Sequence, residues 1–265
     1  MPQAYASHFR SLHTQRSVLL LPNAWDAASA LVQARAGAVA IGTSSAALCW
    51  ALGYRDGGAL PVGELVSAVR RIARSLKVPL TVDIEDGYSE EAETVAKLVV
   101  EIKKAGAVGI NIEDGSGSSD VLASKIEAIR SRIDASELFI NARTDVYLRS
   151  IAQGLEAVSL VTSRAARYAA SGADGLFVPG LSDLAETAQI AKSTELPLNL
   201  MALPGLPALE SLRSAGVRRL STGPALLLSA YADLEKSTSA FLGENTDALF
   251  HNALSFASTQ QLFAS

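Results

Sequence analysis

The sequence predicts an α/β fold, and within that class a (β/α)8 barrel of the TIM type that forms one domain over residues 1–265. Two observations carry this prediction. Short apolar segments alternate about eight times with segments of helical period, which favours a closed barrel of parallel strands. Glycines recur where a helix ends and a strand begins, as in R-A-G-A-V-A-I-G and K-A-G-A-V-G-I-N. An open doubly wound sheet is the competing architecture, but no G-x-G-x-x-G follows the first predicted strand.

The individual elements follow from these patterns in chain order. Short apolar runs predict strands at 18–22, 39–43, 80–85, 108–113, 138–143, 175–178, 198–201 and 219–222. Apolar residues with helical spacing predict helices between them at 61–75, 91–104, 121–133, 151–170 and 183–193. Pro61 is expected at the start of its helix, where a missing N–H has no consequence.

The last stretch, 245–265, lies beyond the eighth predicted strand and its helix and is expected to form a C-terminal helical extension. Its large apolar residues are Leu249, Phe250, Leu254, Phe256, Leu262 and Phe263. A segment this apolar is not expected to remain in water. It either caps its own barrel or docks on a neighbouring subunit, and the residues by themselves leave both placements open.

Composition excludes several classes of function. The chain has 23 basic and 27 acidic residues, a formal net charge of −4, and no basic stripe with interleaved aromatic residues. We therefore expect no nucleic-acid partner, and we interpret arginines such as Arg218 and Arg219 as solvent-exposed. The single cysteine, Cys49, excludes an internal disulfide and a cysteine-based zinc site. No signal peptide and no run of ~18 apolar residues is present, which predicts a soluble, cytoplasmic protein with no membrane partner.

Three predicted strands end in related polar sequences, V-D-I-E-D, I-N-I-E-D and I-N-A-R-T-D. They carry Asp83, Glu113 and Arg143, which are spaced 30 residues apart. Successive side chains of a strand point to opposite faces, so Asp83 and Glu85 are expected on the same face. The carboxyl ends of barrel strands form the face where active sites lie, so we expect these side chains to converge there.

The carboxylates in this group predict a divalent-cation site. Clustered carboxylates repel one another, and without a cation some would take up protons. Oxygen ligands that leave room for water favour Mg²⁺, with Mn²⁺ as the alternative, held by Asp83, Glu85 and Glu113. Salt bridges along the barrel rim, for example with Arg143, are the competing interpretation. The three histidines lie outside the strand ends, which argues against a histidine-ligated zinc ion.

Polar groups near the second and fifth strands predict a site for an anionic substrate. The planar guanidinium of Arg143 suits a substrate carboxylate, and it could instead neutralise Glu113 or Asp145, or have both roles at once. The second strand ends in G-T-S-S-A, and its hydroxyls Thr43, Ser44 and Ser45 could cradle an anion at a helix start. Plain helix caps have the same sequence pattern.

The loop A-L-G-Y-R-D-G-G, residues 51–58, places Asp56 before two glycines. It could be a mobile gate that carries an acid over the site, or an ordinary Asp-Gly turn. None of the seven lysines ends a strand, which disfavours a Schiff-base mechanism. No histidine reaches the barrel mouth, so a serine–histidine–acid triad is excluded, and Cys49 is interpreted as a packing residue.

Taken together, these segments resemble the isocitrate lyase/phosphoenolpyruvate mutase superfamily. The match extends from P-N-A-W-D-A-A-S-A at 22–30 to S-T-G-P-A-L at 221–226 and includes G-T-S-S-A, L-G-Y-R-D-G, V-D-I-E-D-G-Y, G-I-N-I-E-D-G, N-A-R-T-D and G-A-D-G-L-F-V-P-G. The resemblance implies a (β/α)8 barrel, Mg²⁺ dependence and a 2-oxo acid or enolpyruvate-like substrate. It also implies a homo-oligomer, a dimer or tetramer, in which the segment 245–265 is exchanged onto a neighbouring subunit.

The resemblance also implies a role for each matching residue. Asp83 matches an aspartate that usually ligates the metal directly, and Glu85 and Glu113 match acids that act near the metal, often through water. Arg143 matches an arginine that contacts the substrate, and Asp56 matches the acid of the gating loop. The residues that match a carboxylate-binding segment are Thr43, Ser44 and Ser45. We therefore expect Arg143, Asp56 and Glu113 to be catalytic.

Two subfamily signatures are missing from the sequence. There is no K-[KR]-C-G-H loop with a catalytic cysteine, and G-S-G-S-S-D at 115–120 replaces the lysine- and asparagine-bearing loop of phosphonate enzymes. We therefore expect a Mg²⁺-dependent lyase that cleaves a carbon–carbon bond of a 2-oxo acid, like an oxaloacetate decarboxylase, through an enolate stabilised by the metal and Arg143. The alternatives are carbon–phosphorus chemistry on phosphonopyruvate or phosphoenolpyruvate, by a mutase or hydrolase, and a barrel that binds a keto acid without turnover.

Overall fold

The computed structural model describes residues 2–251 and 253–264. Its strands are β1 Leu19–Leu21, β2 Asn23–Ala24, β3 Ile41–Thr43, β4 Leu80–Asp83, β5 Gly109–Glu113, β6 Phe139–Arg143, β7 Gly175–Phe177, β8 Leu198–Met201 and β9 Val217–Ser221. All pairings are parallel, in the order β1-β9-β8-β7-β6-β5-β4-β3-β2. β1 and β2 are halves of one strand, separated by Pro22, which has no N–H to donate. β1 pairs with β9 and β2 with β3, which confirms the predicted barrel.

The helices surround this sheet. They are α1 Pro2–Leu12, α2 Ala27–Arg35, α3 Ser45–Ala51, α4 Val62–Ala73, α5 Ala92–Lys104, α6 Ser119–Arg130, α7 Gly154–Ala170, α8 Leu184–Lys192, α9 Leu209–Ser214, α10 Ala225–Leu242 and α11 Phe256–Leu262, with a short 3-10 helix at Asp247–Phe250. The five predicted helices correspond to α4–α8, each shifted by at most three residues at an end. Pro61 is the residue before α4, not its first residue. None of the helices described is both long and apolar enough to span a membrane.

The two faces of the sheet have different chemistry, as alternation along each strand requires. Outward residues such as Val82, Ile110 and Ile140 are completely buried in one apolar core with the surrounding helices. The interior of the barrel is polar instead. Buried polar residues on the strands include Thr81, Asp83, Asn111, Asn141, Asn199 and Arg219. The barrel interior can therefore hold a polar site without disturbing the apolar layer that stabilises the fold.

Helix α1, which was not predicted, closes the N-terminal end of the barrel. Phe9 packs edge-on against Phe139 of β6, with ring centroids 5.5 Å apart. The imidazole ring of His13 stacks on the Phe139 ring, with the ring centroids 4.2 Å apart. Its Nδ1 lies 2.8 Å from the Phe9 carbonyl oxygen. These aromatic contacts close the barrel at the end opposite to the carboxyl ends of the strands.

His13 gives the fold a predictable pH dependence. Burial, with the charge of Arg219 nearby, lowers the pKa of His13 to about 3. An unfolded chain binds a proton on this histidine below about pH 6.5, and the folded chain does not, so the free energy of unfolding falls as the pH decreases. Between pH 7 and pH 5 we expect this group to remove about 2 kcal/mol, measured by urea denaturation. The His13→Gln variant is the control, and the same loss in both proteins would contradict the prediction.

The C-terminal segment extends from the barrel after α10. In this structure α11 lies against α2 of its own chain, yet Phe256 of α11 is 81% exposed and Phe250 is also exposed. Residues 252 and 265 of the predicted extension at 245–265 lie outside the described ranges. The contact with α2 leaves most of the apolar surface uncovered, so docking on a neighbouring subunit stays a prediction.

Candidate active site

The carboxyl ends of the strands surround a polar cavity of 180 Å³. Six of the predicted site residues line it, namely Thr43, Ser44, Ser45, Asp56, Asp83 and Arg143. Asn23, Asn111 and Ser221 are further polar lining residues, and Phe177 and Met201 contribute apolar surface. The expected convergence of polar side chains from several strands is therefore present, and the cavity is not filled by apolar side chains.

The end of β3 is fixed by its own hydroxyl groups. The Thr43 hydroxyl accepts a hydrogen bond of 3.0 Å from the backbone N–H of Asp83, which joins β3 to β4. Ser44 is the N-cap of α3 and accepts a 3.3 Å hydrogen bond from the Ala47 N–H. Both hydroxyls therefore have a structural role, and their contact with a substrate carboxylate stays a prediction together with that of Ser45.

Asp83 is held at two points beside the cavity. One carboxylate oxygen, Oδ1, accepts a 3.1 Å hydrogen bond from the backbone N–H of Glu85. The other, Oδ2, accepts a 3.2 Å hydrogen bond from the Nδ2 group of Asn111. The side chain is nearly buried and still lines the cavity. A carboxylate oxygen can accept more than one hydrogen bond or ligand, so Asp83 retains the capacity to bind a cation.

Glu85 differs from the expectation, because the strand predicted to reach it ends at Asp83. Glu85 lies in the following turn with φ 51°, a left-handed conformation that few non-glycine residues adopt. Its carboxylate accepts hydrogen bonds from the Tyr88 hydroxyl, at 2.8 Å, and from the Gly58 N–H. Strand alternation therefore does not determine where the Glu85 side chain points. Together with Glu113, Glu85 lines a second cavity of 420 Å³.

Arg143 forms an ion-pair network at the end of β6. Its Nη1 lies 2.6 Å from the Glu113 carboxylate, and its Nε lies 2.6 Å from that of Asp145. Arg149 also contacts Asp145, at 3.0 Å. Burial raises the pKa of Glu113 to about 8, opposed by Arg143 and increased further by the charge of Asp83. Arg143 therefore neutralises these acids, as one interpretation of the sequence expected, and it also lines the cavity.

The three predicted metal ligands do not converge in this conformation. Among the described residues, the group of three potential ligands that approach within 4.8 Å is Cys49, Asp56 and Glu85. Asp83, Glu85 and Glu113 do not form such a group, because the carboxylates of Glu85 and Glu113 are engaged by other partners. Burial, with the charge of Glu85, raises the pKa of the Cys49 thiol to about 12, so it stays protonated and is a poor ligand. The ligand set therefore stays a prediction.

The oxygen donors around the mouth nevertheless fit a hard divalent cation. Asp56, Asp83, Glu85 and Glu113 bring four carboxylates to two neighbouring cavities, and of these acids Glu113 contacts both Arg143 and Arg149. Burial raises the pKa of Asp56 and of Glu85, and the charge of Asp83 raises both further. A bound cation would offset both the burial and the like charge of these carboxylates.

The interpretation of Arg219 as solvent-exposed was wrong, because only 1% of its surface is accessible. The adjacent Arg218 and Arg219 must point to opposite faces of β9, and Arg219 shares its face with Ser221 inside the barrel. Its Nη2 donates a 3.2 Å hydrogen bond to Oδ1 of Asn111, which also accepts a 3.0 Å bond from Asn141. Strand alternation was the signal in the sequence that could have placed this arginine inside.

Comparison with known proteins identifies the family of the chain. The family model described as phosphoenolpyruvate phosphomutase matches residues 9–242. The 2-methylisocitrate lyase of Escherichia coli (strain K12) is 31% identical over 227 residues, which cover 79% of this chain and 75% of that protein. Oxaloacetate decarboxylase 1 of Pseudomonas fluorescens (strain Pf0-1) is 31% identical over 227 residues, which cover 80% of this chain and 75% of that protein.

Solved structures share the same fold. A crystal structure from Burkholderia cenocepacia J2315, assigned as a phosphonomutase, is 39% identical with a TM-score of 0.85, covering 89% of this chain and 99% of that chain. Phosphonopyruvate hydrolase in complex with oxalate and Mg²⁺ has a TM-score of 0.85 at 21% identity, covering 97% of this chain and 94% of that chain. The match over residues 9–242 and the identity to these relatives show that the chain belongs to the phosphoenolpyruvate phosphomutase family, within the isocitrate lyase/phosphoenolpyruvate mutase superfamily.

Proposed function

We propose that the protein is a divalent-cation-dependent lyase that cleaves a carbon–carbon bond of a 2-oxo acid, with decarboxylation of oxaloacetate as its reaction. The observation that carries the proposal is the pairing of Asp83 and Arg143 in one small polar cavity. No lysine, histidine or cysteine is among the residues that line this cavity in the described part of the chain. A reaction that needs a cation and a guanidinium, but no covalent nucleophile, fits this set.

The proposed cation is Mg²⁺, with Mn²⁺ as the alternative. Asp83 would hold it directly, and Glu85 and Glu113 would do so through water. When bound, the ion supplies a Lewis acid that withdraws electron density from the 2-oxo and carboxylate oxygens of the substrate. Relatives support this choice, because a member of the fold is known in complex with oxalate and Mg²⁺.

The side chains of this protein would guide the rest of the reaction. As the C3–C4 bond of oxaloacetate breaks, CO₂ leaves. The electron pair of that bond moves through C3 and C2 onto the 2-oxo oxygen, which gives the enolate of pyruvate. Arg143 is fixed in advance by Glu113 and Asp145, so it can stabilise that negative charge without reorganising. Loss of hydration and the charge of Asp83 raise the pKa of Asp56, which suits this residue to deliver the proton that C3 requires.

The direct test is release of pyruvate from oxaloacetate. We expect a rate above the background produced by Mg²⁺ alone, and we expect this excess to disappear when EDTA is added. Mn²⁺ should restore the activity of the EDTA-treated protein. A rate equal to that of free Mg²⁺ in buffer, measured at the same total ion concentration, would contradict the proposal.

Carbon–phosphorus chemistry is the second candidate, and one observation favours it. The Burkholderia cenocepacia structure that is 39% identical to this chain is assigned as a phosphonomutase. Phosphorus NMR of the protein with phosphonopyruvate and with phosphoenolpyruvate separates the two reactions. A mutase or hydrolase would convert the phosphorus signal of the substrate into that of a different compound, and a decarboxylase would leave it unchanged. A barrel that only binds keto acids would show a higher melting temperature with Mg²⁺ and oxalate and no product from either substrate.

We also propose that the protein is a homo-oligomer in which the segment 245–265 packs on a neighbouring subunit. An apolar groove of 800 Å³ runs along the outer wall of the barrel beside β1. Leu20 of β1 lines this groove and is 53% exposed, although outward barrel residues are normally covered by a helix. Exposed apolar side chains of the segment 245–265, such as Phe250 and Phe256, offer a complementary surface.

Replacing Leu20 with glutamate is expected to lower the mass of the oligomer to half or less, because a charge in the groove opposes apolar burial. Light scattering after size-exclusion chromatography measures this change. Leu155→Glu is the matched control, because Leu155 is at least as exposed but lies on α7, away from the groove. A monomeric wild-type protein, or equal masses for both variants and the wild type, would contradict the proposal.

A further inference from the structure

Arg219 is a buried cation that forms no ion pair with a carboxylate of the described residues. Its side chain lies inside the barrel, and its Nε and Nη1 groups have no hydrogen-bond partner there. Burial lowers the pKa of Arg219 to about 9, and the charge of Asp83 opposes that change. A buried charge without a partner destabilises a fold. Because Arg219 is not expected to stabilise the fold, we infer its role from the hydrogen bond described for its side chain, which goes to Asn111.

That hydrogen bond is one of three that together fix which way the Asn111 amide points. Oδ1 of Asn111 accepts from Arg219 at 3.2 Å and from Asn141 at 3.0 Å. A guanidinium can only donate hydrogen bonds, so the amide oxygen must face Arg219. The NH₂ group of Asn111 must then face Asp83, and it donates to Oδ2 at 3.2 Å. A rotated amide would place an oxygen against a carboxylate and an NH₂ group against a guanidinium, and both contacts are repulsive.

We propose that Arg219 is a positioning residue of the active site, which acts through Asn111 to fix the orientation of the Asp83 carboxylate. The backbone N–H of Glu85 holds the other carboxylate oxygen of Asp83, so Asn111, which Arg219 contacts, supplies the second of two anchors. The functional part of this inference rests on the proposed role of Asp83 as the direct ligand of the cation. The structural part, the orientation of Asn111, does not.

The first test measures Mn²⁺ binding by electron paramagnetic resonance in the full-length protein. Arg219→Met removes the donor and the charge, and we expect it to bind Mn²⁺ about 10- to 100-fold more weakly, as loss of an outer-sphere partner usually does. Its melting temperature should stay the same or rise, because an unpaired buried charge has been removed. Arg219→Lys should restore most of the affinity. Arg218→Met is the matched control, because Arg218 points to the opposite face of β9 and binds only the Val217 carbonyl among the contacts described.

The second test needs no metal ion. In protein labelled with ¹⁵N at asparagine, the side-chain amide of Asn111 should exchange slowly with solvent in the wild type and in Arg218→Met, and at least tenfold faster in Arg219→Met. Asn111→Leu identifies the signal by its absence. Arg219→Leu, which also removes both the charge and the donor, replaces the methionine variant if that variant does not fold.

The outcomes separate the inference from the proposed function. Wild-type protein that binds no Mn²⁺ overturns the proposed function, and the exchange measurement then decides the inference by itself. Unchanged exchange of the Asn111 amide in Arg219→Met overturns the inference. So does Mn²⁺ affinity equal to that of the wild type. Loss of affinity together with a lower melting temperature and no rescue by lysine would show a merely structural residue, and this also overturns it.

Discussion

Replacing Arg143 with glutamine is expected to lower kcat/KM for oxaloacetate by about 10²–10³-fold, because the charge that develops on the substrate loses its fixed donor. Arg143→Lys should recover only part of this loss, since an ammonium group cannot reproduce the planar fork that contacts both acids. Steady-state kinetics with a coupled pyruvate assay measure the effect. A decrease in kcat identifies an interaction of the transition state, whereas a change in KM with constant kcat would point to simple substrate binding.

Arg149→Gln is the matched control for this prediction. Arg149 contacts the same two acids, at 3.0 Å for Asp145 and 3.8 Å for Glu113, but it is half-exposed and lines the second cavity. We expect a change of only a few-fold in kcat/KM. Arg143→Gln should also lower the free energy of unfolding by about 3 kcal/mol, because Glu113 and Asp145 lose the more buried of their two arginine partners. Activity must therefore be compared below the melting temperature of the variant. Equal losses in both variants would contradict a specific role for Arg143.

Replacing Asp83 with asparagine is expected to remove the divalent cation and, with it, the activity. Loss of an outer-sphere partner usually weakens metal binding about 10- to 100-fold. The Asp83→Asn variant should lose more Mn²⁺ affinity than this, because a direct ligand and a negative charge disappear together. The melting temperature of the metal-free variant should rise, since Asp83 is a buried charge that raises the pKa of Asp56 and of Glu113.

Asp86→Asn is the control for Asp83→Asn. Asp86 belongs to the same V-D-I-E-D segment but is exposed, and it lines only the second cavity. Isothermal titration calorimetry with Mn²⁺ should give the wild-type affinity for this control. An Asp83→Asn variant that binds the ion as tightly as the wild type would mean that the cation is held elsewhere.

The barrel could be predicted because its evidence is distributed over the whole chain. Residues such as Val82, Ile110 and Ile140 repeat the same alternation with polar neighbours, so one wrongly placed end does not change the architecture. Helix α1 was missed although Tyr5, Phe9 and Leu12 have helical spacing, and the role of Phe9 is clear only when the barrel end that it closes is known.

The candidate site was predicted in its composition but not in its detailed geometry. Asp83 and Arg143 line the expected cavity because strand alternation holds as far as each of them. Glu85 departs because the chain turns left-handed immediately after the strand, and no regular period encodes that turn. Arg219 was misplaced because its charge was considered before its strand position. The position of a residue in its strand determines whether its side chain is buried, and its charge determines only which partners a buried side chain needs.

The hydrogen bond between Glu85 and the backbone of Gly58 has a consequence for the order of events. The same carboxylate accepts the Gly58 N–H and is proposed to bind the ion through water, so a bound ion would compete with Gly58 for its negative charge. An arriving ion that attracts Glu85 would release this contact and leave the segment 51–58 free to swing. Loading of the ion would then precede admission of the keto acid, as an ordered sequence of two binding steps.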